Sequence, residues 1–462
     1  MAKKIEIFCT LGPKTLNKSF LKNIKGKVNL VRLNLSHISL ANLQKNIKFI
    51  RKYTPVPICI DTEGAQIRTK VKKKTFFKKG KVGFISSRKN FFLYPAYVSS
   101  KLKKNDLFRI YSMTKPVTAL ATMQLYEKGK FQLNDPITKY LPELNNLKRY
   151  NSKGELIDVK TKITMQQLLT HTAGFTYGWG GGPVDKKYEE AKLWLSDGSK
   201  EFIDKVSSLP LLFEPGTKWH YSIAVDITGV IVERLSGLTL DKYFKKHIFE
   251  PLGMNDTFFE VPKVKRNRFL PNNYYNYQKR KPETITSEYW KNAGGYDSYD
   301  GTSIYDDYFN VKLYSGGGGL VSTAMDFMIF LECVRNGGLY NGKRIIGPKT
   351  LKFMTKNHLS GSLSGRGGSG ETPSWDTTSM DKAESNGFGF GLGFGLVMNS
   401  VKRSIIGSDG EYSWGGAAGT IFWIDPIEEI TVISMIQLMS SPWSLREELK
   451  VGTYQSLIEI NE

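Results

Sequence analysis

Short apolar runs alternate with helical patterns over the first sixty residues of the chain. The strand-like runs are rich in aliphatic and β-branched residues, and the stretches between them place apolar residues three or four apart. In chain order these are a strand at 4–10, a helix at 16–25, a strand at 28–35, a helix at 39–53 and a strand at 57–62. This alternation predicts the beginning of a parallel α/β sheet.

The pattern changes at residue 70 and again at residue 107. Residues 70–106 are rich in lysine, with short β-like runs between the charges, whereas the sequence after 107 has ordinary helix and strand patterns. The main predicted elements are β-like runs at 71–77, 82–86 and 91–97, a helix carrying Val117, Leu120, Ala121 and Leu125, a helix at 224–235, and paired strands within 412–438. The later part therefore predicts an α+β domain.

Nearly all of the net charge of +23 lies in the first 106 residues. These carry 25 Lys and Arg against 4 Asp and Glu, whereas the remaining residues carry 41 against 39. A basic segment of this kind can bind a polyanion, but solvated lysines are the commoner explanation. We therefore expect no specific nucleic-acid partner, and a polyanion-binding module remains the weakest functional alternative.

Composition excludes several classes of protein. No run of 18 apolar residues is present, so a membrane-spanning helix is not expected. The charged opening residues do not form a secretory signal, which predicts a cytoplasmic location for the chain as written. The cysteines, Cys9, Cys59 and Cys333, lack the spacing of a disulfide framework or a zinc site. No metal or other cofactor is predicted for the later part.

Ser112 and Lys115 form the candidate catalytic pair. Residues three apart share one face of a helix, so the serine hydroxyl and the lysine amine can meet if the helix begins near Ser112. Pro116 then falls in the first turn, where a missing N–H is tolerated. A lysine with a lowered pKa is a base for a serine nucleophile, which predicts acyl transfer through an acyl-serine.

Several motifs in order after residue 107 resemble the serine β-lactamase-type hydrolases, which include class C β-lactamases, penicillin-binding proteins with D-alanyl-peptidase activity, and β-lactamase-like carboxylesterases. The resemblance covers about 107 to the end. The stretches that carry it are the Ser112–Lys115 pair, TMQQLLTHTAG at 164–174, FEPG at 213–216, WHYS at 219–222, EPLGMNDT at 250–257, GGGLVSTAMD at 317–326 and WGGAAG at 414–419. The family fold is an antiparallel sheet flanked by helices, with an all-helical subdomain.

The resemblance also implies roles for residues outside the Ser112–Lys115 pair. Tyr221 would relay a proton between the serine, the lysine and the leaving group. The backbone N–H groups of Ser112 and Ala417 would form the oxyanion hole. A helix N-terminus favours the developing negative charge, and the glycines beside Ala417 let a substrate carbonyl approach the backbone closely. His171 and His220 have no acidic partner in sequence and are interpreted as structural.

Two departures from the β-lactamase pattern bear on the substrate. Tyr221, Ser222 and Ile223 stand where those enzymes have tyrosine, any residue and asparagine, so a substrate amide loses a hydrogen-bond partner. The strand residues Trp414, Gly415 and Gly416 replace a lysine-containing motif. With these five residues lining the pocket, the preferred interpretation is an ester-cleaving enzyme with an apolar, aromatic acyl pocket. β-Lactams and D-alanyl peptides, which are amides, remain the alternative.

The first part of the chain resembles pyruvate kinase. CTLGPKT at 9–15, VRLNLSH at 31–37 and IDTEGAQIRT at 60–69 match the start of that family in order and spacing. The resemblance implies that Arg32 and Arg68 face phosphate groups and that Asn34, Ser36, Asp61 and Thr62 hold potassium, a cation suited to oxygen ligands. Three strands are only part of an eight-stranded barrel, so this site is interpreted as vestigial, and potassium or magnesium would matter only if it functioned.

The predicted architecture is therefore α/β plus α+β. A partial parallel βα segment at 1–69, an incomplete TIM barrel, is followed by a basic β-rich segment at 70–106 and a hydrolase domain at 107–462 that lacks its usual N-terminal strands. We expect the runs at 82–86 and 91–97 to pair with the exposed edge of the sheet, because an unpaired apolar edge is hazardous. A gene fusion that impairs catalysis is the remaining alternative. The sequence does not indicate the oligomeric state.

Overall fold

A computed structural model describes residues 8–11, 15–28, 30–34, 40–56, 58–61, 83–86, 90–93, 103, 105–285, 308–359, 387–457 and 460–461. The chain forms two compact units, one of Met1–Lys70 with Glu448–Ile460 and one of Val71–Glu447 with Asn461–Glu462. Residues from 71 to 106 thus belong to the same unit as the hydrolase-like sequence. The tract at 360–385 is rich in Gly, Ser and Thr, which predicts a surface loop near the mouth of the site, and it lies outside the described residues.

The first unit contains a small parallel sheet with two helices. Its elements are β1 (Phe8–Leu11), α1 (Lys18–Asn23), β2 (Leu30–Asn34), α2 (Leu40–Tyr53) and β3 (Ile58–Asp61). The strands pair in the order β1-β2-β3, all parallel, which confirms the predicted beginning of an α/β sheet. Leu21, Val31 and Leu33 are fully buried in its core. Membership of an incomplete TIM barrel stays a prediction.

The second unit contains the remaining elements. In chain order its helices are α3 (Thr114–Glu127), α4 (Met165–Leu169), α5 (Pro183–Glu190), α6 (Ser199–Ser207), α7 (Ala224–Ser236), α8 (Leu240–Phe244), α9 (Glu250–Leu252), α10 (Ala324–Arg335) and α11 (Pro348–Met354). The last helix of the chain is α12 (Leu445–Tyr454). Its strands are β4 (Gly83–Ser86), β5 (Asn90–Leu93), β6 (Phe108–Arg109), β7 (Lys148–Tyr150), β8 (Leu156–Asp158), β9 (Asn273–Asn276), β10 (Lys281–Thr284), β11 (Val321–Ser322), β12 (Leu339–Tyr340), β13 (Lys343–Arg344), β14 (Phe388–Phe390), β15 (Gly395–Val397), β16 (Tyr412–Gly415), β17 (Ile421–Asp425), β18 (Ile430–Ser434) and β19 (Leu438–Met439).

A seven-stranded sheet dominates this unit, in the order β14-β15-β16-β17-β18-β5-β4. Every residue of β17 and β18 is buried, so both faces of the sheet centre are covered. β5 pairs with β18 in the register Phe92↔Ile433, and β4 pairs with β5. These ladders confirm the prediction that segments preceding the hydrolase-like sequence, here β4 and β5, pair with the edge of the sheet at β18.

The predicted antiparallel sheet contains one parallel pair. All its pairs are antiparallel except β18–β5, which is parallel. A parallel ladder also pairs the exposed N–H and C=O groups of an edge strand, so either direction would satisfy the backbone of β18.

The α3 helix lies in the interior of the second unit. Every residue from Thr114 to Leu125 is buried, on all sides of the helix. α3 packs against α7, whose residues from Ala224 to Val232 are also buried. A helix buried all round needs apolar or small side chains on every face, and here only Lys115 carries an ionisable group within the buried stretch. None of the helices in the described ranges has the length and apolar content that crossing a membrane requires.

Phe92→Pro tests the pairing of β5 with β18. Proline cannot donate a ladder hydrogen bond, so we expect the backbone amides at 430–434 to exchange with deuterium at least about tenfold faster than in wild type. Phe92→Ala, which keeps the backbone N–H, serves as the matched control. Equal exchange in the two variants, measured by mass spectrometry of peptides covering β18, would contradict the pairing.

Candidate active site

Ser112 lies in a single 3-10 turn, Tyr111–Met113, directly before α3. The sequence predicted a helix starting near Ser112; α3 instead begins at Thr114, because Tyr111 adopts a left-handed φ of +43°, which interrupts the α-helical backbone. The Asn272 amide donates to the Tyr111 hydroxyl over 2.8 Å and anchors this turn. Pro116 lies in the first turn of α3, as predicted.

Lys115 meets Ser112 across this turn, as the spacing predicted. Its Nζ lies 3.2 Å from the Ser112 Oγ and donates to the Gly317 carbonyl oxygen over 2.7 Å. The side chain is 1% exposed. Burial lowers the pKa of Lys115 to about 7, although the negative charge of Asp226 acts to raise it. Near neutral pH the amine is therefore free in a large fraction of molecules and can accept a proton.

The aromatic ring of Tyr221 lies close to the Lys115 amine. The Lys115 Nζ lies 4.6 Å from the centroid of the Tyr221 ring. Burial raises the pKa of Tyr221 above its usual value, while the side chains of Ser112 and Trp414 act in the opposite direction, so the phenol stays protonated at neutral pH. Its buried hydroxyl makes no well-formed hydrogen bond within the described part of the chain. A buried hydroxyl in this condition is able to bind substrate or water.

The turn after β16 packs against the segment that carries Ser112. Trp414 is buried and packs against Tyr221, with ring centroids 5.4 Å apart. Ala417 follows in a tight turn closed by the hydrogen bond from Gly416 N–H to the Thr420 carbonyl. Neither the Ala417 N–H nor the Ser112 N–H donates to another residue that the structure describes. Both amides are thus available, as an oxyanion hole requires.

Gly415 and Gly416 make room for protein atoms. A Cβ at Gly416 would overlap the Ile110 carbonyl oxygen and the Thr420 hydroxyl, so glycine lets the nucleophile segment pack against this turn. A Cβ at Gly415 would overlap the guanidinium of Arg446, which lies on the face of β16 opposite to Trp414 because side chains alternate along a strand. The sequence interpretation attributed these glycines to substrate access, and protein packing gives a sufficient reason for them.

Ser222 and Ile223 point into the protein. Both are 1% exposed; the Ser222 Oγ lies 3.4 Å from the His171 Nδ1, and Ile223 belongs to the main hydrophobic core. The structure therefore gives neither of these predicted pocket residues a surface toward a substrate. His171 packs on the Tyr221 ring at 4.8 Å and accepts from the Ser222 N–H over 3.3 Å. Burial lowers the pKa of His171 well below its usual value, so it is neutral.

Three aromatic rings form an aromatic wall (Tyr177, Trp179 and Trp194) beside the pair. Tyr177 and Trp179 are stacked with centroids 4.4 Å apart, and Tyr177 and Trp194 are stacked at 6.1 Å. Tyr177 lies 5.3 Å from the Tyr221 ring and 5.2 Å from the Lys115 Nζ. Trp179 and Trp194 are half-buried. Sequence reasoning missed this wall; the aromatic residues in the segment after the THTAG motif were the available signal.

Asp226 and the loop at 315–319 were also missed. Asp226 is 3% exposed in the first turn of α7 and accepts from the Gly317 N–H over 2.9 Å. The glycine-rich sequence at 316–319 predicts only a flexible loop, whereas in the structure the Gly317 carbonyl is the acceptor for Lys115. An acidic residue five positions after Tyr221, within an apolar helix, was the signal that could have found this contact.

The predicted pyruvate-kinase-like site is described only at the backbone. Arg32 and Asn34 lie on β2, and Asp61 lies opposite Asn34 on β3. Ser36, Thr62 and Arg68 lie outside the described residues. Phosphate and potassium binding at these six residues stay predictions. Among the described residues no group of three His, Cys, Asp or Glu side chains could hold a metal ion.

Comparison with family models gives two matches along the chain. Residues 93–452 match the model described as Beta-lactamase, and residues 2–93 match the model described as Pyruvate kinase, barrel domain. The second match ends where the first begins, at the end of β5.

Individual relatives match the larger region. Protein Rv1367c of Mycobacterium tuberculosis is 30% identical over 350 residues, covering 73% of this chain and 78% of the relative. Esterase EstB of Burkholderia gladioli is 27% identical over 346 residues, covering 72% and 77%. The solved structure of EstCE1, a hydrolase with promiscuous acyltransferase activity, has the same fold, with a TM-score of 0.61 at 24% identity and coverage of 76% and 86%. With its family match spanning well over half of its length, the chain belongs to the Beta-lactamase family, and its fold is that of the serine hydrolases of this family.

Proposed function

We propose that the protein is a serine hydrolase that cleaves carboxylic esters through an acyl-serine intermediate. The observation that carries the proposal is the buried Lys115 amine at 3.2 Å from the Ser112 hydroxyl, with a pKa lowered to about 7. Serine is a weak nucleophile unless a base is adjacent, and this amine is such a base.

The reaction follows from the positions of these groups. Ser112 Oγ attacks the ester carbonyl carbon while its proton passes to the Lys115 amine. The oxyanion that forms accepts hydrogen bonds from the N–H groups of Ser112 and Ala417. When the intermediate collapses, the bond to the alkoxide breaks, and the alkoxide takes a proton relayed through Tyr221 from Lys115. Water then attacks the acyl-serine by the same route, which releases the acid and restores Ser112.

The aromatic wall supports an apolar ester over a β-lactam or a D-alanyl peptide. Tyr177, Trp179 and Trp194 offer ring surface for an apolar group of the substrate. Arg446, the cation beside Gly415 of β16, lies on the face of the strand away from Trp414. It is therefore not placed to meet a substrate carboxylate beside Trp414. The esterase among the relatives agrees with this choice.

We propose no kinase activity for the first unit. Three parallel strands are fewer than the eight that close the barrel in which pyruvate kinases build their site. A coupled assay for phosphoenolpyruvate-dependent ATP formation is expected to stay at background. ATP formation that is abolished by Arg32→Ala would contradict this proposal.

Ser112→Ala is expected to abolish ester cleavage. Loss of the nucleophile removes the acyl-serine route, so the hydrolysis of 4-nitrophenyl butyrate should fall by at least about a thousandfold. Ser208→Ala, at an exposed serine on the surface, is the matched control and should retain the wild-type rate. Equal rates for wild type and Ser112→Ala would contradict the hydrolase proposal, and an inactive wild type would favour an impaired fusion.

The pH dependence of kcat/KM should report Lys115. Below its pKa the amine is protonated and cannot accept the serine proton, so kcat/KM should rise with pH through a midpoint of about 7. The measurement is a kcat/KM profile from pH 5 to 9 with a neutral ester. A midpoint near 10, the ordinary range of lysine, would contradict the role of the buried amine.

Trp179→Ala tests the aromatic wall. Removal of the ring stacked on Tyr177 should lower kcat/KM for 1-naphthyl acetate about fivefold, because an aromatic contact contributes about 1 kcal/mol. The kcat/KM for ethyl acetate should change by less than about twofold. Trp443→Ala, at a tryptophan that packs on Tyr275, is the control. An equal loss for both esters would show that the wall does not select the substrate.

A further inference from the structure

The 315–319 loop is held in place by two helices. The Thr118 hydroxyl of α3 donates to the Gly316 carbonyl over 2.6 Å. From α7, Asp226 Oδ1 accepts from the Ser315 hydroxyl over 2.5 Å and from the Gly317 N–H over 2.9 Å. A Cβ at Gly317 would overlap the Asp226 carboxylate, so glycine is needed for this close approach. Asp226 therefore fixes the peptide group on the N-terminal side of Gly317.

The same glycine presents its carbonyl to the catalytic amine. Gly317 binds Asp226 through its N–H and Lys115 through its carbonyl oxygen, the latter over 2.7 Å. This carbonyl and the Ser112 hydroxyl are the two hydrogen-bond partners of the Lys115 Nζ among the residues that the structure describes. A displacement of Gly317 would therefore move the lysine with respect to the serine.

Asp226 also supplies the negative charge that acts on Lys115. Burial is the larger effect and lowers the pKa of the lysine, and the carboxylate raises it. The other groups facing the amine are the phenols of Tyr221 and Tyr177, together with His171, whose pKa is lowered by burial so that it is neutral. Asp226 is thus the anionic group among those that face the lysine. Burial raises the pKa of Asp226, and Lys115 and the hydrogen bonds from Ser315 and Gly317 counter that rise.

We propose that Asp226 is a positioning residue, which fixes the Gly317 carbonyl against Lys115 and sets the protonation state of the catalytic amine by its negative charge. The inference rests on the proposed ester hydrolysis for its consequence in catalysis. The charge and the hydrogen bonds of Asp226 can be separated, because asparagine keeps an oxygen acceptor for Ser315 and Gly317 but carries no charge.

Asp226→Asn should shift the midpoint of the acidic limb of the kcat/KM profile to a pH about one unit lower, because a neutral neighbour no longer favours the protonated lysine. In wild type the ratio of kcat/KM at pH 8 to that at pH 6 should be about ten, and in the variant about two. Ser315→Ala, which removes one donor and keeps the charge, should leave the midpoint within about 0.3 unit of wild type. An unchanged midpoint in Asp226→Asn would overturn the proposal, because a residue with only a packing role would not move it.

A second measurement separates this inference from the proposed function. In full-length protein labelled with 13Cε-lysine, the Lys115 resonance, assigned with Lys115→Arg, should titrate near pH 7 in wild type and about one unit lower in Asp226→Asn. This shift would support the inference even if no ester were cleaved, and its absence would overturn the inference even if esters were cleaved. Asp226→Ser, a second neutral variant, is titrated if asparagine prevents folding, and the same two outcomes apply.

Discussion

The catalytic unit depends on one buried amine. Lys115 has two hydrogen-bond partners among the described residues, the Ser112 hydroxyl and the Gly317 carbonyl, and it lies within a helix that is buried on every side. Two neutral partners cannot replace the hydration of an ammonium, so burial favours the free base. The fold therefore converts an ordinary lysine into a base through its location. Because α3 packs against α7 and both are buried, water does not reach the amine to restore the ordinary pKa.

The sheet behind this site is completed by sequence that another family model matches. β5 ends at residue 93, the point where the match to the pyruvate kinase barrel domain ends and the match to the Beta-lactamase family begins. An edge strand needs a partner that offers backbone N–H and C=O groups in register, and any strand of sufficient length can do so. This explains how a sheet whose buried centre is β17 and β18 can be completed by strands that match another family model, and even in a parallel direction.

Local patterns in the sequence predicted much of the fold, and long-range contacts account for what they did not predict. The elements around β2, α2 and α7 follow from periodicity, and the meeting of Ser112 with Lys115 follows from their spacing. The start of α3 does not, because the left-handed backbone at Tyr111 is held by Asn272, 161 positions away. The role of Gly317 likewise depends on Asp226 and Lys115, which lie 91 and 202 positions away. No local pattern encodes such pairings.

The polar groups that remain without a partner within the described residues indicate what the site is suited to bind. The Tyr221 hydroxyl and the Trp414 indole N–H are buried and unpaired, and both can donate a hydrogen bond. They lie in contact, ring against ring, beside a lysine that is neutral in much of the population at pH 7. Neutral donors and aromatic rings suit a neutral acceptor such as the carbonyl of the proposed ester substrate. A carboxylate would lose its hydration on burial, and its negative charge would raise the pKa of Lys115 and thus protonate the proposed base. An anionic ligand would therefore oppose the electrostatics that favour the free amine of Lys115.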